Sequence, residues 1–303
     1  MLQIAVFLFC GLIWGSSYFW IKIALEEVGP VTLVAWRLLF ALAGLAVVFI
    51  VKKKRPPGNP RTLARLAFLA MLSPGIPFIL ISWGETRIDS GLASILNGTV
   101  PLLTTLTAHF LLPDERMTRG RVVGLVFGFA GILTLFGRDL TGSAVLSSWT
   151  GQLAVLAASI LYAFSSVYSR NLLRKLSPLT ITFGQMFFAD LLAWSLLPFT
   201  ELPLVVPHRP LTWFALAWMG LLASCFSFLF YHWLVTFWGA ARSAFTNYLV
   251  PLVGLVLGLL VRGEKGDWHL FAGTGLILGG IAIVNYRTLF ARVRSRSIAG
   301  RRS

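Results

Sequence analysis

The sequence predicts an all-α membrane protein with ten transmembrane helices, arranged as two inverted five-helix repeats. Composition gives the first indication, because hydrophobic residues make up 57% of the chain and charged residues only 12%. The second is a series of apolar stretches of about 20 residues, the length of helix that crosses a bilayer. The third is internal similarity between the two halves. Helices are expected because lipid cannot satisfy the polar groups of an open backbone.

The apolar stretches are taken in order as the predicted spans. They lie near residues 3–23, 30–51, 63–84, 88–111, 120–137, 150–169, 178–199, 211–234, 241–261 and 268–288. We interpret the first as a retained helix rather than a signal peptide, because no basic region precedes it.

Short motifs recur at a nearly constant distance along the chain. Pro30-Val31-Thr32 returns as Pro178-Leu179-Thr180, an offset of 148, and Asn97 returns as Asn247, an offset of 150. An odd number of spans in each copy forces the second copy to enter the membrane upside down. Inverted repeats of this kind are typical of transporters with a binding site near the bilayer midplane.

The repeats and the charges together define the organisation of the chain. We assign 1–140 to the first five-helix repeat, 141–288 to the second and 289–303 to a basic cytoplasmic tail. The net charge is +15. Most of the 26 Lys and Arg residues fall in segments predicted to lie on the same side of the membrane as the N-terminus. This positive-inside bias predicts that both termini are cytoplasmic. The expected partner of the basic tail is therefore the lipid bilayer rather than nucleic acid.

Several chemistries find no support in the sequence. Cys10 and Cys225 both fall in apolar spans, which indicates neither a disulfide nor a metal site. An H-E-x-x-H zinc motif and a G-x-x-x-x-G-K-[ST] phosphate loop are both missing from the chain. We therefore expect neither an enzyme nor an ATP-driven pump, and no cofactor.

Two prolines suggest where a site could lie. Pro101 cannot donate a hydrogen bond to the carbonyl of Asn97, and Pro251 cannot donate one to Asn247. Each copy thus places a free carbonyl and an amide side chain on one residue. A substrate cavity would satisfy these groups, although neighbouring helices at a structural kink would satisfy them equally.

Aromatic and hydroxyl side chains form stripes on three other spans, since residues three or four apart share a helix face. Such side chains suit an amphipathic organic ligand, and packing or an interfacial belt is the alternative interpretation. The candidate binding residues in these stripes, together with the neighbour of Asn247, are Trp14, Ser17, Tyr18, Tyr162, Ser166, Ser227, Tyr231 and Tyr248.

Two charges lie near the middle of predicted spans, where each costs about 2.5–3.5 kcal/mol. Arg37 is in span two and Asp190 in span seven, and Gln185 is the repeat counterpart of Arg37. We include all three in the candidate site. Arg37 and Asp190 either bind the charged ends of a zwitterionic substrate or form a buried pair that fixes helix register.

Glycines spaced by four mark surfaces where helices approach closely. Gly124 and Gly128 in span five, and Gly275 and Gly279 in span ten, have this spacing. We interpret these two spans as packing against each other or as the surface of a homodimer.

The chain also resembles a known family. Trp14-Gly15-Ser16-Ser17, Arg37, Pro101 followed by Glu115, and Pro251 followed by Glu264 resemble EamA-type members of the drug/metabolite transporter superfamily, which include a bacterial aromatic amino-acid exporter. The resemblance implies ten helices in a bacterial inner membrane and a central cavity lined by spans one to four and six to nine. It also implies export of small metabolites.

The predicted function is secondary active transport of small amphipathic metabolites such as amino acids, by alternating access through a midplane cavity. One alternative is transport of another class of small molecule, such as a sugar, nucleoside or drug. The other is a membrane scaffold or lipid scramblase that transports no solute.

Overall fold

The computed structural model describes residues 2–53, 58–111, 119–137, 145–173, 175–238, 243, 246–247, 249–261, 263, 266–280 and 282–283. These residues form helices joined by turns and short connections, and no β-strand occurs among them. The basic tail lies outside the described residues.

Ten helical segments follow one another in this part of the chain. They are α1 (Leu2–Ala24), α2 (Pro30–Val51), α3 (Pro60–Glu85), α4 (Ser90–Leu111), α5 (Arg119–Gly137), α6 (Val145–Leu173), α7 (Pro178–Thr200), α8 (Pro210–Trp238), α9 (Leu249–Val261) and α10 (268–280). Seven of the described helices, α1 to α4 and α6 to α8, contain a stretch long and apolar enough to cross a membrane. The all-helical membrane class is therefore confirmed, whereas ten crossings stay a prediction.

Proline begins four of these helices, at a position where its missing amide hydrogen costs no helical hydrogen bond. The four are Pro30, Pro60, Pro178 and Pro210. Two of the helices are also capped by their own side chains: Asn59 accepts from the amide of Arg61 at 2.9 Å, and Ser177 accepts from that of Thr180 at 3.2 Å. These caps satisfy amides that the first turn of a helix leaves free.

Three helices are interrupted near the middle of the bundle. In α3, the segment Met71–Gly75 is a π-helix, and Ser73 within it has non-helical angles (φ −171°, ψ 126°). In α8, the segment Trp218–Phe226 is also a π-helix. In α4, a turn separates Ser90–Asn97 from Val100–Leu111. Such interruptions expose backbone groups and shift the direction of side chains.

The two repeated prolines were predicted to lie inside helices and to break them there, and the structure places them differently. Pro101 is the second residue of Val100–Leu111, and Pro251 is the third residue of α9. Each therefore occupies a first helical turn, where no intrahelical partner for its nitrogen is required. The interruption comes just before the proline in both copies, at Gly98 in one and at a 3₁₀ turn containing Asn247 in the other.

The second and seventh helices pack against each other in opposite directions. The rings of Trp36 and Trp194 are 5.7 Å apart near one end, and those of Phe49 and Phe183 are 4.4 Å apart near the other. Because residue numbers rise along one helix as they fall along the other, the two helices are antiparallel.

This pair defines two ends of the bundle. We name the end with connections 25–29, 86–89 and 201–209 the carboxylate face, after Glu27 and Glu201. The opposite end, which holds Lys52 and Lys175, is the lysine face.

The remaining contacts occur in matched sets. Helix α1 packs against α8 and α9, while α6 packs against α3 and α4. Helix α4 packs against α9, where an added β-carbon on Gly254 would collide with the side chain of Ser94. Helices α5 and α10 also meet, since a β-carbon on Gly131 would lie 2.7 Å from the carbonyl oxygen of Gly273. The mutual packing predicted for these two spans is therefore present.

Candidate functional site

A central cavity lies between α1 to α4 and α6 to α9, with an empty volume of about 840 Å³. Helices of both repeats contribute to its wall. Ten of the candidate residues line it: Trp14, Ser17, Tyr18, Arg37, Asn97, Tyr162, Ser166, Gln185, Tyr231 and Asn247.

Arg37 carries the charge of the cavity. Of the described residues that line the cavity, it is the only one with a formal charge at neutral pH. Its side chain is buried, its Nε donates to Ser224 Oγ at 2.9 Å, and its Cζ lies 3.7 Å from the ring centroid of Phe78. Glu85 is also buried and acts electrostatically on Arg37, but it does not line the cavity. The cavity therefore presents a positive group to whatever enters it.

An aromatic cluster forms another part of the wall. The Trp14 ring lies 5.5 Å from that of Phe228 and 5.3 Å from that of Tyr231, and its Nε1 donates to the carbonyl of Ala223 at 2.9 Å. Ser166 of α6 lies near the Tyr231 hydroxyl, and its own hydroxyl donates to the carbonyl of Tyr162 at 2.9 Å. Helices α1 and α8 are thus joined, with α6 beside them, through side chains that offer both apolar rings and polar atoms.

The two repeated asparagines both reach the cavity. Asn97 is buried, and its Oδ1 accepts from Ser159 Oγ at 3.3 Å. Asn247 lies in the turn before α9 and is half-buried. The interruption that precedes each proline therefore places one amide side chain from each repeat at the cavity wall.

Gln185 and His232 line the cavity on α7 and α8. Gln185 is buried, and its Nε2 has no hydrogen-bond partner in the part of the chain that the structure describes. His232 Nδ1 lies 2.8 Å from Thr182 Oγ1. A buried amide donor without a partner is costly, and a ligand or water in the cavity would supply the missing acceptor.

Two of the candidate residues, Asp190 and Ser227, are not brought to the wall, and a third lies outside the described residues. Asp190 is buried beside Trp194, and no ion pair between Asp190 and Arg37 exists among the described residues. The Arg37–Asp190 pair expected as one alternative is therefore not formed. Ser227 donates to the carbonyl of Leu222 at 2.7 Å and does not line the cavity. Tyr248 lies outside the described residues.

The geometry of the α-helix explains why Asp190 does not reach the cavity wall. Each residue of an α-helix advances by about 100°, so Gln185 and Asp190, five residues apart, point about 140° away from each other. When one faces the cavity, the other cannot. Ser227 follows the π-helix of α8, where the wider turn directs its hydroxyl to a carbonyl five residues back.

Sequence reasoning did not select about half of the residues of the wall, and two of these are instructive. Ser73 lines the cavity at the π-helix of α3, and Phe78 lies beneath the Arg37 guanidinium. The first had a signal, because Ser73 precedes Pro74 and Gly75 inside an apolar span. The second had none, since Phe78 is one apolar residue among many.

No group of three or more His, Cys, Asp or Glu residues suited to a metal occurs in the described ranges. The polar atoms at the wall are hydroxyls, amides, an imidazole and a guanidinium. This chemistry suits binding of an organic molecule by contact and hydrogen bonds.

The fold and cavity define an all-α, multi-pass membrane protein with an internal cavity, and comparison with known proteins gives its family. The EamA-like transporter family matches residues 1–137 and again residues 149–286, so the chain belongs to this family of membrane transporters. The resemblance noted from the sequence is confirmed.

Individual relatives are transporters by name. The chain is 25% identical to the uncharacterized transporter YoaV of Bacillus subtilis, covering 89% of this chain and 92% of the relative. It is 27% identical to a probable terminal-alkyne amino-acid exporter of Streptantibioticus cattleyicolor (95% of each chain). It is 28% identical to the uncharacterized inner membrane transporter YedA of Escherichia coli K12 (90% and 87%). One crystal structure shares the fold, with a TM-score of 0.69, 20% identity and coverage of 96% and 97%.

Proposed function

We propose that this transporter exports amino acids and similar amphipathic metabolites by alternating access, with the central cavity as its binding site. The cavity itself carries this proposal, since helices of both repeats line it and its wall holds one charged group and several hydroxyls and amides. The thirteen candidate residues stay a proposal for substrate contact, with the ten that reach the wall as its core.

The inverted arrangement of ten spans is part of the proposal. Exchanging the repeats turns α1 into α6, α2 into α7, α3 into α8 and α4 into α9. Under this exchange the contact of α1 with α8 becomes that of α6 with α3, and both occur. The contact of α1 with α9 becomes that of α6 with α4, which occurs too. Antiparallel packing of α2 and α7 is what a two-fold axis in the membrane plane requires.

The substrate class is inferred from Arg37. A guanidinium in a cavity of low dielectric attracts an anionic group, and its planar donors suit a carboxylate. The aromatic cluster at Trp14 offers contact area to an apolar side chain. A relative named as an amino-acid exporter agrees with this inference.

Location and orientation complete the proposal. Basic residues of the lysine face, such as Lys52, Lys53 and Lys175, support a cytoplasmic location for that face and for both termini under the positive-inside rule. One relative is named as an inner membrane transporter, so we place this protein in a bacterial inner membrane. Its partners are then the bilayer and the small-molecule substrate.

A counterflow experiment tests the function. Purified protein is reconstituted in liposomes loaded with unlabelled amino acid, nucleoside or sugar, and entry of the labelled counterpart is followed. We expect saturable counterflow of an amino acid, which Asn97→Ala combined with Asn247→Ala abolishes. Trp83→Phe, at an exposed aromatic ring outside the cavity, is the matched control.

The alternatives predict other results. Counterflow of a sugar or nucleoside alone would replace the amino-acid substrate with that class. Movement of labelled lipid between leaflets without solute counterflow would contradict the transport proposal and favour a scramblase.

A further inference from the structure

A carboxylate from the second repeat caps a helix of the first. Glu201, the residue directly after α7, accepts hydrogen bonds from the amides of Val31 and Thr32 at the start of α2, both at 2.8 Å. The fit is close, because a β-carbon on Gly29 would collide with this carboxylate. A glycine at this position is therefore required for the contact.

A carboxylate from the first repeat caps a helix of the second in return. Glu27, in the connection after α1, accepts from the amides of His208 and Arg209 and hydrogen bonds the side chain of Thr212. These groups lie at the start of α8. The carboxylate face thus carries two caps that cross between the repeats in opposite directions.

Neither of these helices caps itself. The residues before them are Gly29 and Arg209, and neither makes a side-chain capping hydrogen bond. Their repeat counterparts at the lysine face do the opposite, because Ser177 caps α7 and Asn59 caps α3 within their own segments.

The two capping carboxylates also have repeat counterparts of opposite charge. Lys52 directly follows α2 as Glu201 directly follows α7, and Lys175 lies 148 positions after Glu27, the offset of the repeat. A helix N-terminus carries a partial positive charge, which attracts a carboxylate and repels an ammonium group. The positive-inside rule accounts for lysines on this face, but not for carboxylates bonded across the repeats on the other.

We propose that Glu27 and Glu201 form a latch that ties the two repeats together at the carboxylate face, and that the latch must release for this face to open. The proposal rests on the alternating access proposed above. At the lysine face, no carboxylate among the described residues caps a helix of the other repeat, and the hydrogen bond that Trp238 Nε1 donates to Gln3 Oε1 at 2.8 Å joins neutral groups. The latch therefore favours closure of the carboxylate face in the absence of substrate. With the orientation proposed above, the resting exporter then opens to the cytoplasm, where its substrate is.

Distance measurements between spin labels test the latch without requiring transport. Labels are placed at Thr86→Cys and Leu204→Cys, both exposed on the carboxylate face, with Cys10 and Cys225 replaced by Ala. The full-length protein is studied in lipid nanodiscs without substrate. We expect one short distance in the parent protein.

Removing both carboxylates should then increase a longer-distance population. For Glu27→Ala with Glu201→Ala, we expect its ratio to the short-distance population to rise about five- to tenfold, in the range of a lost helix cap. Glu201→Gln provides a milder variant should the double variant fail to fold. An unchanged distribution in folded variants would contradict the latch.

Two controls address charge and position. Glu26→Ala removes a neighbouring carboxylate whose contact with Arg209, at 3.7 Å, is an exposed ion pair. Lys52→Ala removes the counterpart of Glu201 at the other face. Both should leave the distribution unchanged, and an equal shift in either would show that the effect is not specific to the latch.

A further variant separates a latch from an ordinary helix cap. Arg209→Asn gives α8 a cap of its own, like Asn59 of α3, and is combined with Glu27→Ala. We expect this cap to restore helix stability, measured by thermal unfolding, while the longer distance persists. A return to the short distance would mean that Glu27 acts only as a cap, which would overturn the proposal.

Counterflow on the same samples keeps the two proposals separable. A shift in distance with no counterflow in the parent protein would retain the latch and contradict the transport proposal. Counterflow in the parent protein, without any shift in distance in the Glu27 and Glu201 variants, would support the transport proposal and contradict the latch.

Discussion

Arg37 places its guanidinium over the ring of Phe78, with 3.7 Å between Cζ and the ring centroid. The contact joins α2 to α3, and the Nε bond to Ser224 adds α8. A desolvated cation–π contact is worth about 2 kcal/mol, which offsets part of the cost of a charge at this depth. The stacking and the Ser224 bond also fix the orientation of the guanidinium toward the cavity.

This geometry predicts a difference between two substitutions. Arg37→Gln removes the charge, and Arg37→Lys keeps the charge but loses the planar stacking. We expect the first to lower counterflow of an amino acid by about tenfold or more, the loss of one charge-assisted contact. The second should retain part of the activity.

Substrate analogues provide the control for this prediction. The parent protein should prefer an amino acid to the corresponding amine without a carboxylate, whereas Arg37→Gln should not distinguish them. An unchanged preference in Arg37→Gln would show that the carboxylate binds elsewhere.

The Trp14 indole nitrogen is expected to support both stability and binding. Trp14→Phe keeps a ring in the aromatic cluster but removes the 2.9 Å bond to the carbonyl of Ala223 in the π-helix of α8. The free energy of unfolding should fall by about 1 kcal/mol, and the apparent KM for substrate should rise several-fold. Equilibrium unfolding and counterflow at varied substrate concentration measure the two effects. An equal loss of stability in Trp83→Phe would contradict a specific role of Trp14.

Packing of α2 against α8 predicts a sharp contrast between two glycines. A β-carbon on Gly220 would lie 2.6 Å from the carbonyl oxygen of Arg37, whereas one on Gly275 meets nothing within 4 Å. Gly220→Ala should destabilise the protein by about 1–3 kcal/mol, because overpacking forces the helices apart. Gly275→Ala should be neutral or slightly stabilising, since alanine favours helix. Thermal unfolding in detergent compares them, and similar midpoints would show that α2 and α8 lie further apart than described.

Acid is expected to weaken the latch through Glu27. Its pKa is lowered from 4.5, first by the hydrogen bond with Thr212, then by the amides of His208 and Arg209 and by the Arg209 charge. A carboxyl whose folded pKa is depressed stabilises the fold above its unfolded pKa, and this stabilisation is lost as pH falls through the folded value.

The matching measurement compares unfolding midpoints of the parent and of Glu27→Gln between pH 7 and pH 3. The parent should be more stable at pH 7, and the difference should shrink below about pH 4.5. A difference that is constant over this range would mean that the Glu27 charge does not stabilise the fold.

Much of the fold could be predicted from the sequence, because hydrophobic length and the positions of Pro30 and Pro178 are strong local signals. The site was harder. Arg37 and Asn97 were found because polar groups in apolar spans are costly and so conspicuous. Their hydrogen-bond partners were not found, because the bond from Arg37 to Ser224 joins residues 187 positions apart. The rotation of each helix, which turns Asp190 away, depends on packing that no single residue encodes.

The latch residues illustrate a second limit. Glu27 and Glu201 lie in connections, where carboxylates are common and carry no pattern of their own. Only the coordinates show that each reaches the helix N-terminus of the other repeat. Comparison of the repeats then reveals lysines at the counterpart positions, a difference visible in the sequence once the capping contacts are known.

The interlocking of α5 and α10 limits how a second copy of the chain could associate with this one. A β-carbon on Gly131 would meet the backbone of Gly273, and one on Gly280 would meet the carbonyl of Gly124. These glycines therefore already make packing contacts within the molecule. A neighbouring subunit could pack against them only if α5 and α10 separated. Gly275 and Gly279 remain open, so they form the part of α10 along which lipid chains can lie flat against the backbone.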